Sequence, residues 1–409
     1  MTAAGLLARY RASSLGARIL AFMALGIVAG LVWGEGTKVV EPLGELFIRL
    51  LMMSAIPLVF FNLLAGLSAL DDARRFGRLA GKVLLYFFLT TGVAVALGLT
   101  AASLLRPGEG MRLSAPVGEA VGDVPSLARI LIEMVPSNIV DAFSSGRITQ
   151  VVVFAVLLGL AGLGLPEAPK SLLARGYAAA ADLLRRLVEL ILQTAPFGIG
   201  ALAATTVGMH GPSIFGALGR FLVGVWLAQA VLAGLYAALV AAFVGDSPWR
   251  FLRRTGPLYA TAAATCSSLA SLVVAFDVAE RRLGIPRRVY GFTLPLGTQL
   301  NKGGTAIMLG GVLLFTAQAA GVSFDAAALV SVGLIGLLLT TGSPGIPGGG
   351  LVVALVYVQA FQLPVEVAAI VGGVYRLVDV GNTTLNVMGD LVGTYIVAHS
   401  EGDVEMVNA

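Results

Sequence analysis

The chain has 409 residues, 57% hydrophobic and only 12% charged, with a net charge of +4 and mean hydropathy +0.90. Soluble domains are about 45–50% apolar and about 25% charged, so a water-facing exterior cannot be built and the apolar excess must face lipid. No basic stripe with interleaved aromatics argues for nucleic acid. The lone Cys266 excludes an intramolecular disulfide, and the widely separated His210 and His399 speak against a metal cluster.

Unpaired backbone groups are not tolerated in hydrocarbon, so only helices or a closed barrel can span. The apolar runs are long and do not alternate, which selects helices. Ile19–Gly34 is the first. Arg9, Arg11 and Arg18 precede it as in a signal peptide. A second long apolar segment follows at once with no small-residue cleavage site, so a retained helix is expected. Pro42–Leu70 and Ala80–Leu105 come next, then a Gly/Pro/Glu-containing loop, Arg106–Pro125. Leu127–Phe143 is more amphipathic, and Thr149–Leu165, Leu172–Val207 and Ile214–Val244 complete this half. Arginines cluster at 9/11/18, 74/75/78, 250/253/254 and 281/282/287/288. The positive-inside rule then puts the N-terminus and these loops in the cytoplasm.

The second half differs. Ala262–Ala275 is interrupted by Thr265-Cys266-Ser267-Ser268, and Ala326–Phe361 by Thr340 to Gly350, which holds Pro344, Pro347 and five glycines. Such density of glycine and proline cannot continue a helix. Broken backbone at membrane depth survives only where protein buries it or a cavity hydrates it. A pair of interrupted segments points to a transporter's midplane site. A third interruption, Asn301-Lys302-Gly303-Gly304-Thr305, separates Tyr290–Leu300 from Ala306–Phe315 and places a lysine within an uncharged stretch. A lysine at this depth costs roughly 3 kcal/mol or more, so it marks a site.

The last helix, about Val365–His399, carries Arg376, Asp379, Thr383, Asn386 and Asp390 at steps of three, four, three and four. That spacing is one polar stripe of an α-helix. It reads as the wall of a site or cavity, with a salt-bridge ladder (Arg376 to Asp379, Lys302 to Asp390) as the structural alternative.

These residues resemble a known family, the dicarboxylate/amino acid:cation symporters that include glutamate transporters. Phe292-Thr293-Leu294-Pro295-Leu296-Gly297 with Asn301–Thr305 resembles its run FTLPLGATxNxDGT. Gly345-Ile346-Pro347-Gly348-Gly349-Gly350 is similar to its second hairpin tip, and Asp379–Asp390 to its last-helix motif D-x-x-R-T-x-x-N-x-x-G-D. Ile56–Phe60, Met134–Asn138 and Ala195–Gly198 agree, so the likeness runs nearly the whole chain in order.

The resemblance implies an all-α polytopic membrane protein with eight spanning helices, two re-entrant hairpins and an elevator-type mechanism. Residues 1–75 and 126–207 would form a scaffold that assembles a homotrimer. Residues 76–125, 208–254 and the core 255–399 would form the mobile transport domain, and 400–409 a cytoplasmic tail. By the same likeness Asp379 would pair with a substrate amino group, assisted by Thr383. Asn386 would hold the main-chain carboxylate, with Ser267 and Ser268 at the first tip and Gly349 at the second. Thr305 would line the side-chain pocket. Gly297, Asn301, Asn386 and Asp390 would form one sodium site. Thr90, Thr91 and Asn301 would belong to another.

Four departures qualify this. Asn382 stands where acidic-substrate members carry arginine, so the bidentate partner of a second carboxylate is missing, although Arg376 lies one turn away. Gly303 replaces an aspartate that ligates sodium. Lys302 replaces a methionine among the sodium sites and puts an ammonium where sodium charge sits. The first tip, Cys266–Ser271, lacks the usual following proline and one serine, which changes the setting of Ser267 and Ser268. The expectation is a secondary transporter of a small amino acid, neutral in preference to acidic, in the cell's inner membrane. It would be proton-coupled or sodium-independent, with no cofactor other than sodium if that ion binds. The rival is a sodium-coupled aspartate/glutamate or dicarboxylate symporter. An anion channel is a further alternative. An enzyme is not expected, since no nucleophile–base set, metal cluster or phosphate loop is present.

Overall fold

The computed structural model describes residues 15–68, 77–111, 135–145, 147–211 and 213–402, with Ser13 and Ile132. Arg9, Arg11, Arg74, Arg75, residues 112–125 of the first loop, most of 127–134 and the tail beyond 402 lie outside the described residues.

Helix α1 (Leu15–Trp33) passes through a 3-10 turn (Gly34–Val40) into α2 (Glu41–Ser68). Then follow α3 (Arg78–Leu105), the short α4 (Ile139–Ser144), α5 (Ile148–Leu163), α6 (Glu167–Leu192), α7 (Ala195–His210) and α8 (Ser213–Phe243). The run expected as one helix over Leu172–Val207 is two, α6 and α7, bent by 55°. Pro196 has no N–H to continue the ladder and its ring crowds the preceding turn. α1 packs along α7 so closely that a methyl on Gly26 or Gly30 would meet the backbone of Gly200 or Ala204. Small residues let helices approach this way in lipid.

The second half begins with α9 (Pro248–Thr265) and α10 (Ser268–Asp277), continued by a π turn (Val278–Arg282). Next come α11 (Arg287–Leu300) and α12 (Gly303–Ala319), then α13 (Ala326–Thr341) and α14 (Gly349–Ala360). The expected last helix is also divided: α15 (Val365–Ile370) and a 3-10 turn (Val371–Gly373) precede α16 (Tyr375–Ser400). Gly372 and Gly373 have no Cβ to restrain their backbone, so the helix is weakest there.

Among the described residues, four helical runs are long and apolar enough to cross a membrane: Ala17–Ser68, Arg78–Leu105, Phe215–Phe243 and Arg287–Ala319. The bent pair α6–α7 makes a fifth. The first three leave many apolar side chains exposed, whereas the apolar 18-residue stretch within Arg287–Ala319 is wholly buried. α12 is therefore the axis of the fold. It packs on α3, α16, α14 and α8, while α1, α2, α5, α6 and α7 pack chiefly on one another. A buried, broken helix sheathed by apolar ones is the arrangement a membrane allows for irregular backbone.

Candidate functional site

Three breaks in helical structure meet α16 between Tyr375 and Asp390. At the first, Cys266 ends α9 in the left-handed region (φ 50°) and Ser267 is extended. The Ser267 hydroxyl accepts from the Ala270 N–H at 3.2 Å, capping α10, and donates to the Gly345 carbonyl at 2.8 Å. Leu269 N–H donates to the same carbonyl at 3.3 Å. The first two breaks are thus bonded to each other at their tips. Ser268 is buried as the first residue of α10.

At the second break Gly348 has φ 82°, a conformation that favours glycine. Its N–H reaches Asp379 Oδ2 at 3.4 Å, and the Tyr375 hydroxyl donates to Asp379 Oδ1 at 3.0 Å. Gly349 opens α14, packed so tightly that a Cβ would meet the Pro344 ring.

At the third break Asn301 leaves α11 in extended conformation. Its amide donates to Asp390 Oδ1 at 2.9 Å and its Oδ1 accepts from Thr91 at 3.3 Å. Asn386 Oδ1 accepts from the Gly304 N–H at 2.9 Å and the Thr305 N–H at 3.4 Å. Its Nδ2 donates to Thr305 Oγ1 at 3.1 Å. The start of α12 is a helix N-terminus with unsatisfied donors, and Asn386 supplies the acceptor.

Lys302 sits in the middle of this break and is 1% exposed. Its Nζ makes no hydrogen bond to protein. It lies 3.4 Å from where a Cβ on Gly345 would be, so it points at the second tip, where Ser267 also bonds. Asp390, Asp379 and Arg185 are its charged neighbours. The salt-bridge ladder is absent among the described residues: neither Lys302–Asp390 nor Arg376–Asp379 approaches within 4.0 Å. Arg376 donates instead to the Ala264 carbonyl at the first tip, at 3.3 Å.

Most of the residues singled out from sequence are buried around this point. Thr383, Asn382, Thr305, Thr90 and Thr91 are all buried. The four residues considered for sodium converge, with the Asp390 carboxylate against Gly297. In each of them one oxygen already accepts a protein donor: the Gly297 carbonyl from the Asn301 N–H, Asn301 Oδ1 from Thr91, Asn386 Oδ1 from Gly304 and Asp390 Oδ1 from Asn301. In the other expected site Thr90 spends its donor on the Tyr86 carbonyl. The space beside Gly303 is filled by the Tyr236 hydroxyl, 2.6 Å from where a Cβ would sit. Among the described residues no three His, Cys, Asp or Glu side chains group as metal ligands.

The sequence reading missed three contributors. Tyr375 stands one turn before Asp379, a spacing that could have flagged it. Gln229 and Tyr236 are polar residues within the apolar α8, seven apart and so on one face.

The family model described as the sodium:dicarboxylate symporter family matches residues 15–400. The chain belongs to that family. It is similar to the C4-dicarboxylate transport protein of Bacillus subtilis, 28% identical over 95% of this chain and 94% of that protein. It is also similar to the C4-dicarboxylate transport protein of Solibacter usitatus, 30% identical over 96% and 94%. The proton/glutamate-aspartate symporter of B. subtilis is 28% identical over 94% of each chain. The resemblance drawn from the motifs is therefore correct, and the protein is a multi-pass membrane transporter of the symporter kind, not an enzyme.

Proposed function

We propose that this symporter moves a small amino acid, neutral in preference to acidic, with the Lys302 ammonium standing in for a sodium ion. The observation that carries the reading is the buried Lys302, free of protein hydrogen bonds and aimed at the second tip among Asp390 and Asp379. A fixed or proton-borne positive charge there does what a bound cation would do: it balances buried carboxylates and favours a closed tip. On the substrate side, Asp379 offers a carboxylate to an amine, and Asn382 offers no charge to a second carboxylate. The coupling is to protons, or transport is independent of cations. The path is an elevator movement of 76–125, 208–254 and 255–399, with its two re-entrant hairpins, against a scaffold of 1–75 and 126–207. The assembly is a homotrimer with eight spans per subunit in the inner membrane, N-terminus and tail in the cytoplasm.

Uptake of labelled amino acids into proteoliposomes, with sodium and proton gradients imposed separately, tests this. The expected result is uptake of a neutral amino acid that ignores sodium and collapses in Lys302→Met. Sodium-driven uptake overturns it. A second reading, a sodium-coupled aspartate, glutamate or dicarboxylate symporter, draws support from the names of the relatives and from Arg376 at the rim of the site.

A further inference from the structure

Asn382 is 1% exposed and has both ends of its amide engaged. Its Oδ1 accepts from Gln229 Nε2 at 2.9 Å, and its Nδ2 points at Met308 Sδ at 3.3 Å. The two ends are unequally satisfied: Oδ1 receives a good amide N–H donor, whereas Nδ2 has only a thioether sulfur, a weak acceptor. The orientation is set from outside the pair. Gln229 Nε2 also donates to the Val378 carbonyl at 3.3 Å, and a carbonyl can only accept. That contact identifies the nitrogen end of Gln229, which in turn must face the oxygen end of Asn382. The Asn382 N–H2 is thereby turned away from α8 and toward Met308. Met308, Thr305 and Tyr375 all border Gly350 beside the second tip, and Tyr375 donates to Asp379.

We infer that Gln229 is a specificity-determining positioning residue: by holding Asn382 Oδ1 it presents the Asn382 amide donor to the site, selecting small amino acids with a hydrogen-bond-accepting side chain. This rests on the amino-acid reading above and narrows it. A substrate hydroxyl or amide oxygen displaces the thioether as acceptor and gives Asn382 a stronger bond. An isosteric methyl leaves that donor with sulfur only. Sites built to bond a substrate polar group discriminate against analogues lacking it far better than apolar pockets discriminate by size. Nothing in the pair carries charge, so the selection is for polarity, not for a second carboxylate.

L-threonine and L-valine differ by this hydroxyl-for-methyl exchange and are the probes. Each is used to inhibit uptake of labelled L-alanine into proteoliposomes by wild type, Gln229→Leu and Met308→Leu. Wild type is inhibited at least about tenfold more strongly by threonine than by valine. In Gln229→Leu the two come within about twofold, through loss of threonine affinity with valine affinity unchanged. Met308→Leu, which keeps the Gln229–Asn382 pair and removes the weak acceptor, binds threonine a few-fold more tightly and valine as before. Equal inhibition in wild type, or a preference that survives Gln229→Leu, overturns the inference while leaving amino-acid transport standing. If Gln229→Leu does not fold, an unchanged threonine affinity in Met308→Leu overturns it. If no amino acid is carried and a dicarboxylate is, the amino-acid reading falls and this inference with it.

Discussion

The Ser267 hydroxyl donates to the Gly345 carbonyl at 2.8 Å, so two segments 78 residues apart in sequence are bonded where their helices break. The same hydroxyl caps α10 through the Ala270 N–H. One oxygen therefore both fixes the first tip and closes it on the second. Ser267→Ala removes a cap worth about 1 kcal/mol and an interhelical hydrogen bond worth about as much. The adjacent Cys266, buried and the chain's single cysteine, is a built-in reporter of tip opening. The expected outcome is labelling of Cys266 by a small maleimide about thirty times faster than in wild type, since about 2 kcal/mol at about 1.4 kcal/mol per tenfold is about thirtyfold in an opening equilibrium. Unchanged labelling would mean that the tips are held by other contacts.

Lys302 has no protein acceptor for its ammonium. Replacing a poorly paired buried charge by an apolar side chain of similar length is commonly stabilising, by about 1–4 kcal/mol. Lys302→Met should melt several degrees higher in detergent than wild type while losing transport. A lower melting temperature would show that the ammonium contributes net stability to the closed tips.

Asp390 is the carboxylate bonded to Asn301 across the third break and is among the charges nearest Lys302. Asp390→Asn leaves the lysine with less compensation, and breaking a buried charge arrangement from one side costs about 3–5 kcal/mol. In the double variant Asp390→Asn/Lys302→Met most of that loss should return. Thermal melts of the four proteins close a cycle, and purely additive effects would separate the two residues energetically.

Beyond the end of α16, Glu401 pairs with Arg78 at 2.7 Å and with Lys82. These hydrogen bonds, first that from Arg78, hold its carboxyl down at about 2, below its ordinary 4.5. A group lowered on folding adds stability above its unfolded value and loses it as pH falls through the folded one. The melting temperature of wild type should therefore exceed that of Glu401→Gln by a constant margin above about pH 5. The margin should shrink from pH 4.5 and vanish toward pH 2. A margin that persists at pH 2, or is absent at pH 7, contradicts this.

Gly304 packs against the main chain of Asn382, where a Cβ would collide with backbone. Gly304→Ala must push α12 off α16, which separates Asn386 from the Gly304 and Thr305 N–H groups it caps. Uptake should fall to background with a melting temperature several degrees lower. Near-normal uptake would show that the α12–α16 approach is not needed for transport.

Composition by itself determined that this chain lives in lipid as helices, because a chain 12% charged cannot clothe itself for water and lipid leaves no backbone group unpaired. The three breaks were legible too: glycine and proline at the second and paired glycines at the third work against helix continuation, while the first was marked by the small polar run Thr265–Ser268. So was the stripe from Arg376 to Asp390, which follows from helical periodicity alone, and the motifs that placed the chain in its family. Tertiary structure decided the partners. Spacing suggested Arg376 with Asp379, but a long guanidinium can reach another element and here takes the Ala264 carbonyl. Asp379 instead receives Tyr375 and the Gly348 N–H. Gln229 and Tyr236 looked like isolated polar residues in an apolar helix until packing put them against Asn382 and Gly303. Periodicity fixes the face a side chain leaves from, while its hydrogen-bond partner depends on which helix is folded against that face, and that contact is formed between residues far apart in sequence.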